Sequence, residues 1–128
     1  MPGFSKETAP QVEHHGPVVD RHGEVLDYTI NFVRFEPEMD GAPLLKGLPG
    51  DKCISPHWGY VLSGRMTYKF DDHDEAYEAG DAFFVPPGHT PLNSPHTEIL
   101  QFSPTELLAI VSETLMRNFR AMQAGSPT

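Results

Sequence analysis

The chain has 128 residues, 38% hydrophobic and 21% charged, which fits one globular domain and leaves no room for a second. Eighteen acidic residues against nine basic ones give a net charge of −9, so neither nucleic acid nor an anionic membrane surface is an expected partner. Thirteen Pro and eleven Gly argue against a helical bundle and for short strands joined by many turns.

Residues 1–17 have no periodicity and carry Pro2, Gly3, Pro10, Gly16 and Pro17. They read as an arm, disordered alone or ordered against a partner subunit. The arm is polar and acidic where a signal peptide would be apolar, and no apolar run approaches the roughly 20 residues that span a bilayer. One cysteine, Cys53, leaves no internal disulfide. Together these point to the cytoplasm.

The first strand is expected over 27–35, where Tyr28, Ile30 and Phe32 alternate with Thr29, Asn31 and Val33. Residues 36–51 read as loop. Strands follow over 57–62 and 65–70, with Ser63-Gly64 between them as a hairpin turn. Further strands are expected over 75–78, 82–85 and 98–102, the last after a loop over 91–97. Turns about every ten residues are the pattern of an antiparallel sandwich or barrel. Residues 18–103 are therefore taken as the β domain. Ser103-Pro104-Thr105-Glu106 reads as a capping box that starts a helix over 104–124, with Gly125 as its stop. Its broad apolar stripe has to be buried against the sheet or another subunit.

Two stretches, Cys53 to Gly64 and Gly80 to His89, together resemble the cupin superfamily. Gly80, Pro86 and Gly88 match the opening G(x)5PxG of its second motif, and Tyr60-Val61-Leu62-Ser63-Gly64 matches the turn that closes its first. The resemblance covers roughly residues 27–103. It implies an all-β antiparallel jelly-roll barrel with an added C-terminal helix, a pocket at one end and, in many members, a divalent metal. The chain departs from the family where the metal would sit. The first motif ends HxH(x)3–4E(x)6G, and those ligand positions hold Asp51, Cys53 and His57. The histidine position of the second motif holds Pro91, with His89 two residues earlier.

Cys53, His57 and His89 remain as a metal set. A thiolate and two imidazoles favour zinc, or copper, over magnesium or manganese, and three protein ligands leave a fourth position open. Asp51 is a further candidate ligand. The plain alternatives are a buried cysteine acting as a small hydrophobe and histidines that bond nearby carbonyls. Gly59 shares a strand face with His57 and is read as leaving space for a ligand, with a bulge as the alternative. Tyr68 and Gln101 are candidate hydrogen-bonding groups for that ligand, and His96 is a candidate for the pocket lining. Trp58, Tyr60 and Leu62 fall on the opposite face, to be covered by the helix or by a second copy in a homodimer.

The other histidines carry less. His14 and His15 are expected to be solvated in the arm, His22 to sit in a turn before Gly23, and His73 to lie at a hairpin tip. A Cys53 nucleophile paired with His57 is a further possibility without an orienting third group. No Ser-elbow, phosphate-binding loop or dinucleotide fingerprint is present. Three functions stand open: a metal-dependent enzyme acting on a small organic molecule, a non-catalytic small-molecule binder, and a structural member with a lost site.

Overall fold

The computed structural model describes residues 2–124; Gly125, the expected helix stop, lies outside them. Ten strands form in chain order: β1 (Gln11–His15), β2 (Val18–Val25), β3 (Tyr28–Phe35), β4 (Met39–Asp40), β5 (His57–Ser63), β6 (Arg65–Lys69), β7 (Asp74–Glu78), β8 (Ala82–Val85), β9 (Thr90–Asn93) and β10 (Thr97–Pro104). Two short 3-10 turns, Ala42–Leu45 and Pro49–Asp51, lie within the expected loop, and one helix among the described residues, α1 (Thr105–Ala124), follows β10. The strands make two antiparallel sheets. One runs β1-β2-β3-β10-β5-β8, the other β4-β9-β6-β7.

The inner faces of both sheets meet in a single core. Val33, Val61, Phe83, Val85 and Ile99 come from the six-stranded sheet, Met66 and Tyr68 from the four-stranded one. Along β3 the buried residues are Thr29, Asn31 and Val33, so the more polar of its two faces points inward. That inversion marks an interior that is not purely apolar.

Several expectations change. Gln11–His15 of the expected arm pairs with β2 in full register, and His22 and Gly23 lie within β2 rather than in a turn. Thr90–Asn93 is a strand despite Pro91, which sits half-buried opposite Tyr68. Ser63-Gly64 is not a hairpin turn. β5 pairs with β10 and β8, whereas β6 pairs with β7 and β9, so the chain crosses between sheets at Gly64. A single residue between β5 and β6 cannot fold them back on each other. It can redirect β6 so that Met66 and Tyr68 face the same core as Val61.

Ser103 does not cap the helix. β10 continues through Pro104, and the Ser103 hydroxyl is engaged by His57. Nor does α1 cover Trp58, Tyr60 and Leu62, which stay about 40% exposed. Instead Val111 and Leu115 pack on Leu45, Leu48, Cys53 and Ile54. Asn118 Nδ2 donates to the carbonyls of Leu44 and Lys46, fastening the helix to that loop. No helix among the described residues is long and apolar enough to cross a membrane.

Gly64 has φ +77°, and a Cβ there would lie 2.7 Å from Thr97 Cα. Gly64→Ala is therefore expected to lose about 1–3 kcal/mol of stability from strain and overpacking, measured by urea unfolding. An unchanged midpoint would contradict this account of the crossing.

Candidate metal centre

A backbone bridge brings the two sequence stretches together. Cys53 N–H donates to the His89 carbonyl at 2.9 Å, and Gly88 N–H donates to the Cys53 carbonyl at 2.8 Å. One strand pairing completes the arrangement: His57, at the start of β5, sits opposite Val85, where Pro86 then ends β8. Cys53, His57 and His89 are all buried, and their ligating atoms lie within 4.8 Å of one another.

The geometry fits a metal. Cys53 Sγ and His57 Nε2 are 3.5 Å apart. A tetrahedral zinc with ordinary bond lengths holds sulfur and nitrogen at about 3.6 Å. Each imidazole is anchored through its far nitrogen. His89 Nδ1–H donates to the Pro86 carbonyl at 2.7 Å, an acceptor only, which leaves Nε2 with its lone pair free. His57 Nδ1 lies 2.7 Å from Ser103 Oγ, and donation to that hydroxyl likewise frees Nε2. Hydrogen bonds of this kind orient metal-binding histidines and fix their tautomer.

Burial sets the protonation states. It pushes the His57 pKa down to about 3, with the neighbouring His89 adding to the effect, and it lowers His89 as well. Both rings are therefore neutral at pH 7, as ligands must be. Burial also pushes the Cys53 thiol up to about 11, only partly offset by its hydrogen bond to the Ser55 carbonyl. The thiol and imidazole are in contact, yet a thiolate–imidazolium pair is disfavoured on both sides. The Cys–His nucleophile considered from sequence is thus not activated here.

The triad opens onto a cavity of about 250 Å³ between the sheets. Leu108, Val111, Leu115, Met116 and Phe119 of α1 line it, so the helix is a cavity wall rather than an outer cover. Tyr68 and Gln101 also line it. Tyr68 is fully buried, its ring centroid 5.2 Å from that of His89, and its hydroxyl has no hydrogen-bond partner. Burial holds that phenol neutral, a donor with nothing to donate to.

Other sequence candidates fall elsewhere. His96 is largely exposed, 72% by side chain, and pairs with Glu36 outside the cavity. Asp51 is exposed and accepts from Gly47 N–H, so it is not part of the triad. Gly59 does not open space for a ligand. A Cβ there would press on the Phe83 ring and lie 2.7 Å from the Leu100 carbonyl, so its missing side chain accommodates Phe83. His14 is exposed as expected, but His15 lines the cavity and meets Phe119 edge-on. His73 sits at the expected exposed tip, stacked on Phe70. Sequence reasoning missed Ser103, because it also fits a capping box, and Asn31 and Asp20, because nothing local distinguishes them from sheet polar residues.

The cupin domain family model matches residues 55–111. No curated protein matches the chain. Among solved structures, a protein of unknown function from Rhizobium leguminosarum bv. viciae is 18% identical with a TM-score of 0.55, over 80% of this chain and 94% of that one. An RmlC-like cupin from Shewanella frigidimarina is 23% identical with a TM-score of 0.53, over 80% and 88%. The EutQ protein of Clostridium difficile is 13% identical with a TM-score of 0.50, over 69% of this chain. The chain spans 62% of the length of that EutQ protein. These likenesses show a shared fold.

Neutral, buried histidines make the metal-free protein acid-sensitive. Both folded pKa values lie below the unfolded value near 6.5, so the unfolded chain takes up protons first as pH falls. Stability is expected to be full above about pH 6.5 and to decline toward pH 3, at about 1.4 kcal/mol per unit from His57 alone. Urea unfolding between pH 7.5 and 4.5 checks this, and a flat profile would contradict it.

Proposed function

We propose that this chain, which belongs to the cupin superfamily, holds one divalent metal on Cys53, His57 and His89 and acts as a metal-dependent enzyme on a small organic molecule bound in the cavity. The observation that carries the reading is the triad itself: three buried ligating atoms within 4.8 Å of one another, the Cys53–His57 pair at zinc spacing, with both imidazoles anchored at Nδ1. The two sheets are read as the halves of a jelly roll, with the ligand between them and α1 across the opening. Zinc is the preferred metal, given a thiolate and two imidazoles. The proposed setting is the cytoplasm, where Cys53 stays reduced.

Bound zinc would supply Lewis-acid polarisation of a substrate oxygen or activation of a bound water at its open position. The chain's own residues do the rest. Ser103 and the Pro86 carbonyl keep the two rings aimed. Tyr68 offers a neutral O–H to an oxygen on the substrate. Leu108, Val111 and Leu115 shield the centre from bulk water.

A non-catalytic binder is the second reading, and one observation favours it. Asp20 is the only carboxylate among the described residues that line the cavity, and it groups with Glu13 and His22 rather than with the triad. The carboxylate that acts electrostatically on His89, Glu75, does not line the cavity, so no carboxylate base stands on the cavity side of the centre among the described residues. An enzyme loses turnover in His57→Ala while its fold persists; a binder returns its ligand unchanged after hours.

The partner proposed for the outer sheet face is a second copy of the chain. Trp58, Tyr60, Leu62, Phe84 and Phe102 are exposed there on the adjoining strands β8, β5 and β10. A contiguous apolar patch of this kind is unusual on a monomer. Trp58→Lys with Phe84→Glu should convert a dimer to a folded monomer in analytical ultracentrifugation. A wild-type monomer at micromolar concentration would contradict the assignment.

Metal content tests the main reading. Tag-free protein purified without added metal should carry about one zinc per chain by elemental mass spectrometry, and Cys53→Ala should carry almost none. Because the thiol proton must leave, affinity should rise about tenfold per pH unit from pH 6.5 to 10. Metal absent from both proteins, or retained in the variant, sinks it.

A further inference from the structure

We infer that the cavity has a second polar subsite, Asn31 Oδ1 beside the Asp20 carboxylate, that receives a hydroxyl or ammonium group of the bound molecule. The inference rests on reading the cavity as a ligand site, as proposed above, but not on the identity of the metal.

Asn31 lies on the inner face of β3, 5% exposed, and lines the cavity. Its Nδ2 donates to both Asp20 oxygens, at 3.0 and 3.3 Å. The amide cannot be turned over, because Oδ1 would then face a carboxylate, acceptor against acceptor. Oδ1 is therefore held in the orientation seen, and it is buried without a donor. A buried acceptor left unpaired is a standing cost to folding, and a leucine at the same place would avoid it. An asparagine whose amide end is fixed and whose carbonyl end is free is built to accept.

The surroundings say what it accepts. Asp20 is itself only an acceptor. No Lys or Arg is among the described residues lining the cavity, and the basic groups at this end, His15 and His22, already face the Asp20 carboxylate. A donor is the complement, neutral or cationic. On the other sheet, Tyr68, whose ring packs beside that of His89, carries an unpaired hydroxyl that can donate. The two orphaned groups thus have opposite sense. Apolar residues, Val33, Met66 and Ile99, line the same cavity. The cavity of about 250 Å³ equals roughly eight waters in liquid volume. The fitting molecule is small, has an apolar middle, presents an oxygen acceptor to Tyr68 and the triad, and presents a donor to Asn31 and Asp20.

A matched probe series tests this: hexanoate, 6-hydroxyhexanoate, 6-aminohexanoate and adipate, titrated by calorimetry into zinc-loaded and metal-free protein. The 6-hydroxy or 6-amino probe should bind about tenfold tighter than hexanoate, and adipate weaker than hexanoate. Asn31→Leu should collapse the donor preference to a ratio near one. Asp20→Asn should remove a preference for the amine but keep one for the hydroxyl, which separates the two donor sources. In wild-type protein, the Asn31 side-chain amide signal in nitrogen-15 NMR should move with the preferred probe and stay still with hexanoate. That readout needs no variant to fold. Equal binding of hexanoate and both donor probes, a preference that survives Asn31→Leu, or failure of the whole series to bind overturns the subsite. Equal hexanoate affinity with and without zinc counts against the metal centre alone and leaves the donor preference to be judged.

Discussion

Burial of three polar side chains, the candidate ligands Cys53, His57 and His89, is the constraint that organises this protein. Two imidazoles and a thiol cannot sit in a core unless their hydrogen-bonding groups are satisfied. The chain meets that demand with its backbone and one serine. The Pro86 carbonyl takes the His89 proton, Ser103 takes the His57 ring, and the Cys53–His89 bridge ties the two segments side by side. β10 runs two residues further than the expected 98–102, which carries Ser103 to His57 before the helix begins. The point where strand gives way to helix is thus set by the site.

The helix follows from the same arrangement. Val111 and Leu115 pack against Cys53 and its loop neighbours, so α1 rests on one of the candidate ligands. Its apolar stripe is buried partly on that loop and partly over the cavity, which leaves the outer face of the six-stranded sheet uncovered. Changes in α1 are therefore felt at the site without touching the triad.

Much of the fold was legible in the sequence, because alternation and turn residues are local signals. The strands over 57–62, 65–70, 75–78 and 82–85 lie within a residue or so of where the pattern puts them. Sheet membership was not legible. Whether β5 and β6 pair or part at Gly64 depends on contacts with β10, β8 and β9, which are distant in sequence. The triad was legible because its residues fall at or near ligand positions of a recognisable motif. Gly59 misled because a missing side chain signals space without saying who fills it, and Phe83 does. His96 misled because a loop near the mouth is not the same as a side chain pointing in. Asn31 and Asp20 carried no signal at all, since their significance lies in one unpaired atom and a cavity.

The central claim is that Cys53, His57 and His89 act together as a metal centre. Cobalt(II) titration of the metal-free protein tests it most directly, because a cobalt–thiolate bond gives a charge-transfer band in the near ultraviolet and a four-coordinate site gives strong visible absorption. The account predicts saturation at one cobalt per chain with both features, loss of the charge-transfer band in Cys53→Ser, and displacement of the cobalt by zinc. No uptake, or uptake with a spectrum that Cys53→Ser leaves unchanged, would contradict it.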